Sequence, residues 1–122
     1  MNEKQNPLKD KSFQFALKII KLYTFISEQK REYVMNKQLL RSGTSIGANI
    51  REAQNVQSKV DFIHKLSISQ KECNETLYWL ELLHKSDFLE EKEFTTIHGD
   101  ANELLKMLLS SILTTKQNIH NS

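Results

Sequence analysis

Three short runs carry side chains with chemical potential. Gly43-Thr44-Ser45-Ile46-Gly47 spells G-x-S-x-G, the elbow that presents a serine hydrolase's nucleophile. Glu81-Leu82-Leu83-His84 is a Glu-x-x-His, the unit that di-iron bundles use twice, and Asp61-Phe62-Ile63-His64 is a weaker echo of it. Lys37, Arg41 and Arg51 place cations on one side of a helical projection, as a phosphate-binding face requires.

Each chemistry needs elements that hold its parts, and two of the three lack them. A nucleophile elbow needs a strand before the serine, but Asn36, Lys37, Gln38 and Leu39 contain no β-branched run. No alternating strand pattern occurs anywhere in the chain. A di-iron centre needs ligands from four helices, whereas both acid-x-x-His units fall on one predicted helix. Elsewhere there is Glu28 near a helix end, and His98 has Thr95 three residues before it. His84 therefore reads as a packed histidine and Cys73 as a small buried hydrophobe. No zinc spacing and no phosphate loop is present. The chain reads as non-enzymatic, with no cofactor and no metal.

The periodicity predicts four helices. Helix one spans about 11–29, capped by Asp10 or Ser12, with Phe13, Ala16, Leu17, Ile20, Tyr23 and Ile26 as its core face. Helix two spans about 34–55. Leu39, Gly43, Ile46, Ile50 and Ala53 make its apolar stripe, and Lys37, Arg41, Thr44, Ala48 and Arg51 lie opposite. Each glycine costs roughly 1 kcal/mol in a helix, so another helix is expected to approach closely over Ser42, Gly43, Gly47 and Ala48. The same pair matches a membrane-dimer motif, but Arg41 and Arg51 exclude a bilayer span. Helix three, about 59–85, starts at a Ser58 cap and carries a heptad seam of Ile63, Leu66, Gln70, Cys73, Leu77, Leu80 and His84. Its end is apolar all round, which makes Trp79 and Leu82 candidate subunit contacts. Helix four begins near Glu90, buries Phe94, Ile97, Ala101, Leu105, Leu108 and Ile112, and fades near Thr115. Short links imply an all-α, up-down-up-down four-helix bundle.

The 122 residues suit one domain, expected over 11–116, with a flexible leader at 1–10 and a flexible tail at 117–122. Scarce glycine (3) and proline (1) favour long helices. One cysteine, no apolar leader and no membrane-length run lead us to expect a cytoplasmic protein. Net charge is only +2, yet residues 1–71 hold thirteen Lys/Arg against six Asp/Glu, and 72–122 hold four against nine. A basic first half suits a polyanion.

Ser45, Asn49 and Glu52 share one edge of helix two beside its core, where a hydrogen-bond cluster between helices or subunits is expected rather than a binding pocket. RSGTSIGANIREA resembles the signature R-x-x-x-S-I-x-x-N-I-x-E-G of bacterial four-helix-bundle proteins first noticed in 23S rRNA intervening sequences. Arg41, Ser45, Ile46, Asn49, Ile50 and Glu52 match it; Ala53 stands in place of the final glycine, and Glu90 where the family often has a serine cap. The resemblance, from about Phe13 to Lys116, implies a ring-like homo-oligomer, specifically a pentamer. A related branch is similar to the accessory proteins of diversity-generating retroelements, which bind nucleic acid and a reverse transcriptase.

These readings lead to one expectation: an oligomeric scaffold that binds RNA or DNA through Lys37, Arg41 and Arg51, together with a protein partner such as a reverse transcriptase. The alternative is a protein–protein adaptor with no nucleic-acid binding.

Overall fold

A computed structural model describes residues 6–121. Helices α1 (Pro7–Phe25), α2 (Val34–Ala53), α3 (Lys59–Lys85) and α4 (Glu91–His120) follow one another, and a π-helical turn over Ile26–Lys30 closes α1. There is no strand among the described residues. Helix α1 starts four residues earlier than its pattern indicates. The side chain of Asn6 accepts from the Lys9 amide at 3.1 Å, and Pro7 fits the first helical position because its missing N–H would have no partner there. Ser12 lies inside the helix, donating to the Lys9 carbonyl. The Ser58 cap is as the sequence indicates, with its hydroxyl accepting from the Asp61 amide at 3.1 Å. Glu90 occupies the cap position of α4 without a side-chain bond, and α4 runs on to His120.

The helices pack as an antiparallel cycle, each against its chain neighbours, with α4 closing back on α1. Ser12 meets Gly47 and Ile19 meets Gly43, so α1 and α2 run oppositely. Ser69 reaches the Ile46 carbonyl and Thr76 reaches Ser42, reversing α3 against α2. The Cys73 thiol donates to the Ala101 carbonyl, and Lys18 pairs with Asp100. The topology is up-down-up-down, with α1 and α3 on the diagonal.

The stripe of α2 is buried throughout: Leu39, Gly43, Ile46, Ile50 and Ala53. Leu66, Cys73, Leu77 and Leu80 bury the seam of α3, while Ile63, Gln70 and His84 are half-buried. Helix α4 uses Leu104 where Leu105 was expected; Leu105 and Phe94 are half-buried. The clear departure is α1. Its core face is Leu8, Ser12, Phe15, Ile19 and Ile26, whereas Phe13, Leu17 and Ile20 stand 48%, 42% and 45% exposed. Both stripes have helical spacing, so periodicity alone cannot choose between them. The choice follows from shape: Ile19, buried and β-branched, fills the hollow over Gly43, where a Cβ would lie 2.9 Å from its side-chain carbons.

Candidate functional site

Helix α2 presents two different flanks. Towards α1 its middle, at Gly43 and Gly47, is bare. A Cβ on Gly47 would stand 3.3 Å from the Ser12 carbonyl oxygen, so the two backbones approach with nothing between them. The helix that the glycines admit is α1 of the same chain. Ser42 does not take part in that approach; it turns to α3 and accepts from Thr76 at 3.0 Å.

Towards α3 the flank is polar, and the signature residues gather there. Arg41 forks between Glu72, at 3.1 Å, and Glu75. The Ser45 hydroxyl donates to the Arg41 carbonyl at 2.6 Å, and the Asn49 amide donates to the Ser45 carbonyl at 2.9 Å. Glu52 accepts from Lys65 of α3 at 2.7 Å. Ile46 and Ile50 of the same signature are fully buried beside them. Ser45 is thus a mid-helix hydroxyl bonded to its own backbone. Ser45 and Asn49 brace α2 internally, while Arg41 and Glu52 tie it to α3. Helix α2 ends at the buried Ala53, and the Asn55 amide donates back to the Glu52 carbonyl at 3.1 Å in the turn that follows. The Arg41 hydrogen bond, joined by the Trp79 indole N–H at 3.0 Å, holds the Glu75 carboxyl below its usual range.

The three proposed cations keep to one side of α2 but have different surroundings. Lys37 and Arg51 are separated by about 21 Å of helix. Arg41 is engaged with α3, while the Arg51 guanidinium lies 5.5 Å from the centre of the Phe13 ring on α1. The fold sorts charge differently, by the ends of the bundle. Lys9, Lys11, Arg51, Lys59, Lys65, Lys106 and Lys116 share the end where α2 turns into α3, against Asp10, Glu52, Asp61 and Glu103. Two of those four carboxylates are occupied by Lys11 and Lys65. Lys9, Arg51, Lys59, Lys106 and Lys116 have no carboxylate within ion-pair distance among the described residues. The opposite end, which holds Lys37, balances Lys21, Lys30, Arg31, Lys37, Lys85 and Lys92 against six carboxylates of the α1–α2 and α3–α4 turns.

The two members of the Glu-x-x-His unit on α3 take separate partners on α4. Glu81 pairs with His98 of α4 at 2.8 Å, and His84 pairs with Glu91 at 2.9 Å while stacking on Phe94 at 4.1 Å. These crossed pairs fasten α3 to α4. No group of three or more His, Cys, Asp or Glu among the described residues is arranged to hold a metal ion. Burial pushes the Cys73 thiol up to about 12, which keeps it protonated and inert. Trp79 and Leu82 are half-buried, and the adjacent Tyr78 is the aromatic that α3 exposes, at 55%. No helix among the described residues is long and apolar enough to cross a membrane.

Asn36 is the residue that periodicity passed over. It is fully buried, and its amide donates to the Tyr23 carbonyl at 2.8 Å and to Ser27 Oγ at 2.9 Å, pinning the π-turn to α2. The signal was available: Asn36 continues the α2 stripe three residues before Leu39, a polar side chain in apolar register.

This architecture is that of a four-helix bundle whose polar residues both brace single helices and join neighbouring ones. The chain belongs to the 23S rRNA-intervening sequence protein family, whose description matches residues 4–110. It is similar to a crystal structure of a protein of unknown function from the S23 ribosomal protein family of Bacteroides thetaiotaomicron. The two are 52% identical with a TM-score of 0.85, over 86% of this chain and 97% of that one. No curated protein matches the chain.

Proposed function

We propose that this protein is a non-enzymatic, oligomeric scaffold that binds RNA or DNA electrostatically, through the cationic end of the bundle where α2 turns into α3. The observation that carries this reading is the set of five cations there, Lys9, Arg51, Lys59, Lys106 and Lys116, unpaired among the described residues on a rigid helical frame. Phosphate contacts from such a set release counterions and read no base. Membership of a family named for an rRNA insertion agrees with a nucleic-acid partner. Arg41 leaves the binding set, because α3 already neutralises it. In a ring such as a homopentamer, rotation brings every copy of this end to the same side and multiplies the contacts. A reverse transcriptase or other protein partner would join such a complex without changing its electrostatic basis.

Fluorescence anisotropy with a labelled single-stranded RNA and a DNA duplex tests the reading. Affinity should fall at least tenfold between about 50 and 200 mM salt, as several released counterions per site require. Absence of binding at the lower salt, with a protein partner recovered in its place, would favour the adaptor reading instead.

A further inference from the structure

The joint between α1 and α4 is a ladder of ion pairs that stops early. Lys11 meets Glu103 and Lys18 meets Asp100, each lysine of α1 answered by a carboxylate of α4. The next rung has no acid. Four residues before Asp100, beside the same hollow as Lys21, α4 carries Thr96, whose hydroxyl donates to the Lys92 carbonyl of its own helix at 3.1 Å. The helices part there around a hollow of about 460 Å³, a size within the roughly 300–1,000 Å³ of small-molecule sites. Leu22, Phe25 and Ile97 give it an apolar lining, and Phe25 is 42% exposed. Lys21 and Lys92 also line it, and neither has a carboxylate within ion-pair distance among the described residues. Lys18 is held by Asp100, and Glu93 is the one carboxylate on the lining, so the hollow keeps an excess of one positive charge.

We propose that this hollow binds a small apolar monocarboxylate, an aliphatic or aryl acid. Its carboxylate supplies the missing rung, between Lys21 and Lys92, while its body covers Leu22, Phe25 and Ile97. A charged head alone would meet only exposed lysines, whose attraction is weak and screened by salt. An apolar body alone would take water from the two ammonium groups and return no partner. The two features together select an amphiphile, and Glu93 disfavours a second negative charge on it. The site lies at the end of the bundle opposite Lys9, Arg51, Lys59, Lys106 and Lys116, and it is independent of nucleic-acid binding there.

Titration of the full chain with decanoate below its micellar concentration, followed by amide NMR shifts, tests the site, with decanol as the uncharged control. Saturable shifts are expected around Leu22, Phe25, Thr96 and Ile97, with a dissociation constant of about 1 mM or tighter. Decanol should bind about fivefold more weakly or worse. Thr96→Glu writes the missing acid into α4 beside Lys21, and should weaken decanoate binding by about the same factor while keeping the helical circular dichroism of wild type. Lys21→Gln/Lys92→Gln should weaken it similarly, and takes the place of Thr96→Glu if that variant does not fold. No saturable shift, equal affinity for decanol, or undiminished binding in the folded variants overturns the site. Shifts confined to the exposed Phe13, Leu17 and Ile20 also overturn it, as adventitious adsorption. RNA affinity, measured on the same samples, should not change in either variant, so a failure here and a failure to bind RNA are told apart.

Discussion

The two flanks of α2 hold the bundle by unlike means. The α1 flank relies on shape: Ile19 sits over Gly43, and the Ser12 backbone comes up to Gly47, with little polar contact between them. The α3 flank relies on charge and hydroxyls, in the Arg41 fork, the Glu52–Lys65 pair and the buried Thr76–Ser42 bond. A steric joint fails when volume is added. An exposed electrostatic joint contributes little, and its contribution depends on pH and salt. The family signature lies on the second flank, where Arg41 and Glu52 join α2 to α3 and Ser45 and Asn49 bond within α2.

Substitutions that separate these joints differ in size. The largest loss is expected at the turn that delivers α1 to its flank. Asn36→Ala removes two side-chain hydrogen bonds from a fully buried position, to the Tyr23 carbonyl and to Ser27 Oγ, and should lower stability by about 2–3 kcal/mol in denaturant unfolding. Gly43→Ala comes next. Overpacking against Ile19 costs about 1–3 kcal/mol and outweighs a helix-propensity gain of about 1 kcal/mol. Gly99→Ala, in open space on α4, should stabilise by up to about 1 kcal/mol. Equal responses at the two glycines would remove the steric account of the α1 flank. The smallest effect belongs to Arg41→Gln, under about 1 kcal/mol at neutral pH because the pair is half-exposed. The Glu75 carboxyl is held below its ordinary range by Arg41, so the pair stabilises above that range. That stability is lost as pH falls through the depressed value, and the melting difference from wild type should therefore shrink in acid.

Much of this was legible in the residues. The α2 stripe, the Ser58 cap and most of the α3 seam followed from spacing, because a small residue or a hydroxyl at those positions has one workable environment. Helix α1 did not, since its two apolar stripes are equivalent in period. What selects between them is the Gly43 hollow on another element, a tertiary fact. The surroundings of the cations were hidden for a related reason. A helical projection places Lys37, Arg41 and Arg51 on one side, but it does not contain Glu72 and Glu75, which draw Arg41 to α3. The grouping of Lys9, Arg51, Lys59, Lys106 and Lys116 needs the antiparallel topology, which brings residues nearly a full chain apart to the same end.

The central claim is that Arg41 belongs to the bundle while Arg51 and Lys59 belong to the ligand surface. It is tested most directly by measuring RNA affinity and melting temperature together for Arg41→Gln and for Arg51→Gln/Lys59→Gln. The account predicts that the first lowers the melting temperature slightly and leaves affinity unchanged, and that the second weakens binding several-fold without altering melting. Weakened binding in Arg41→Gln at an unchanged melting temperature, with full binding retained in the double variant, would contradict it.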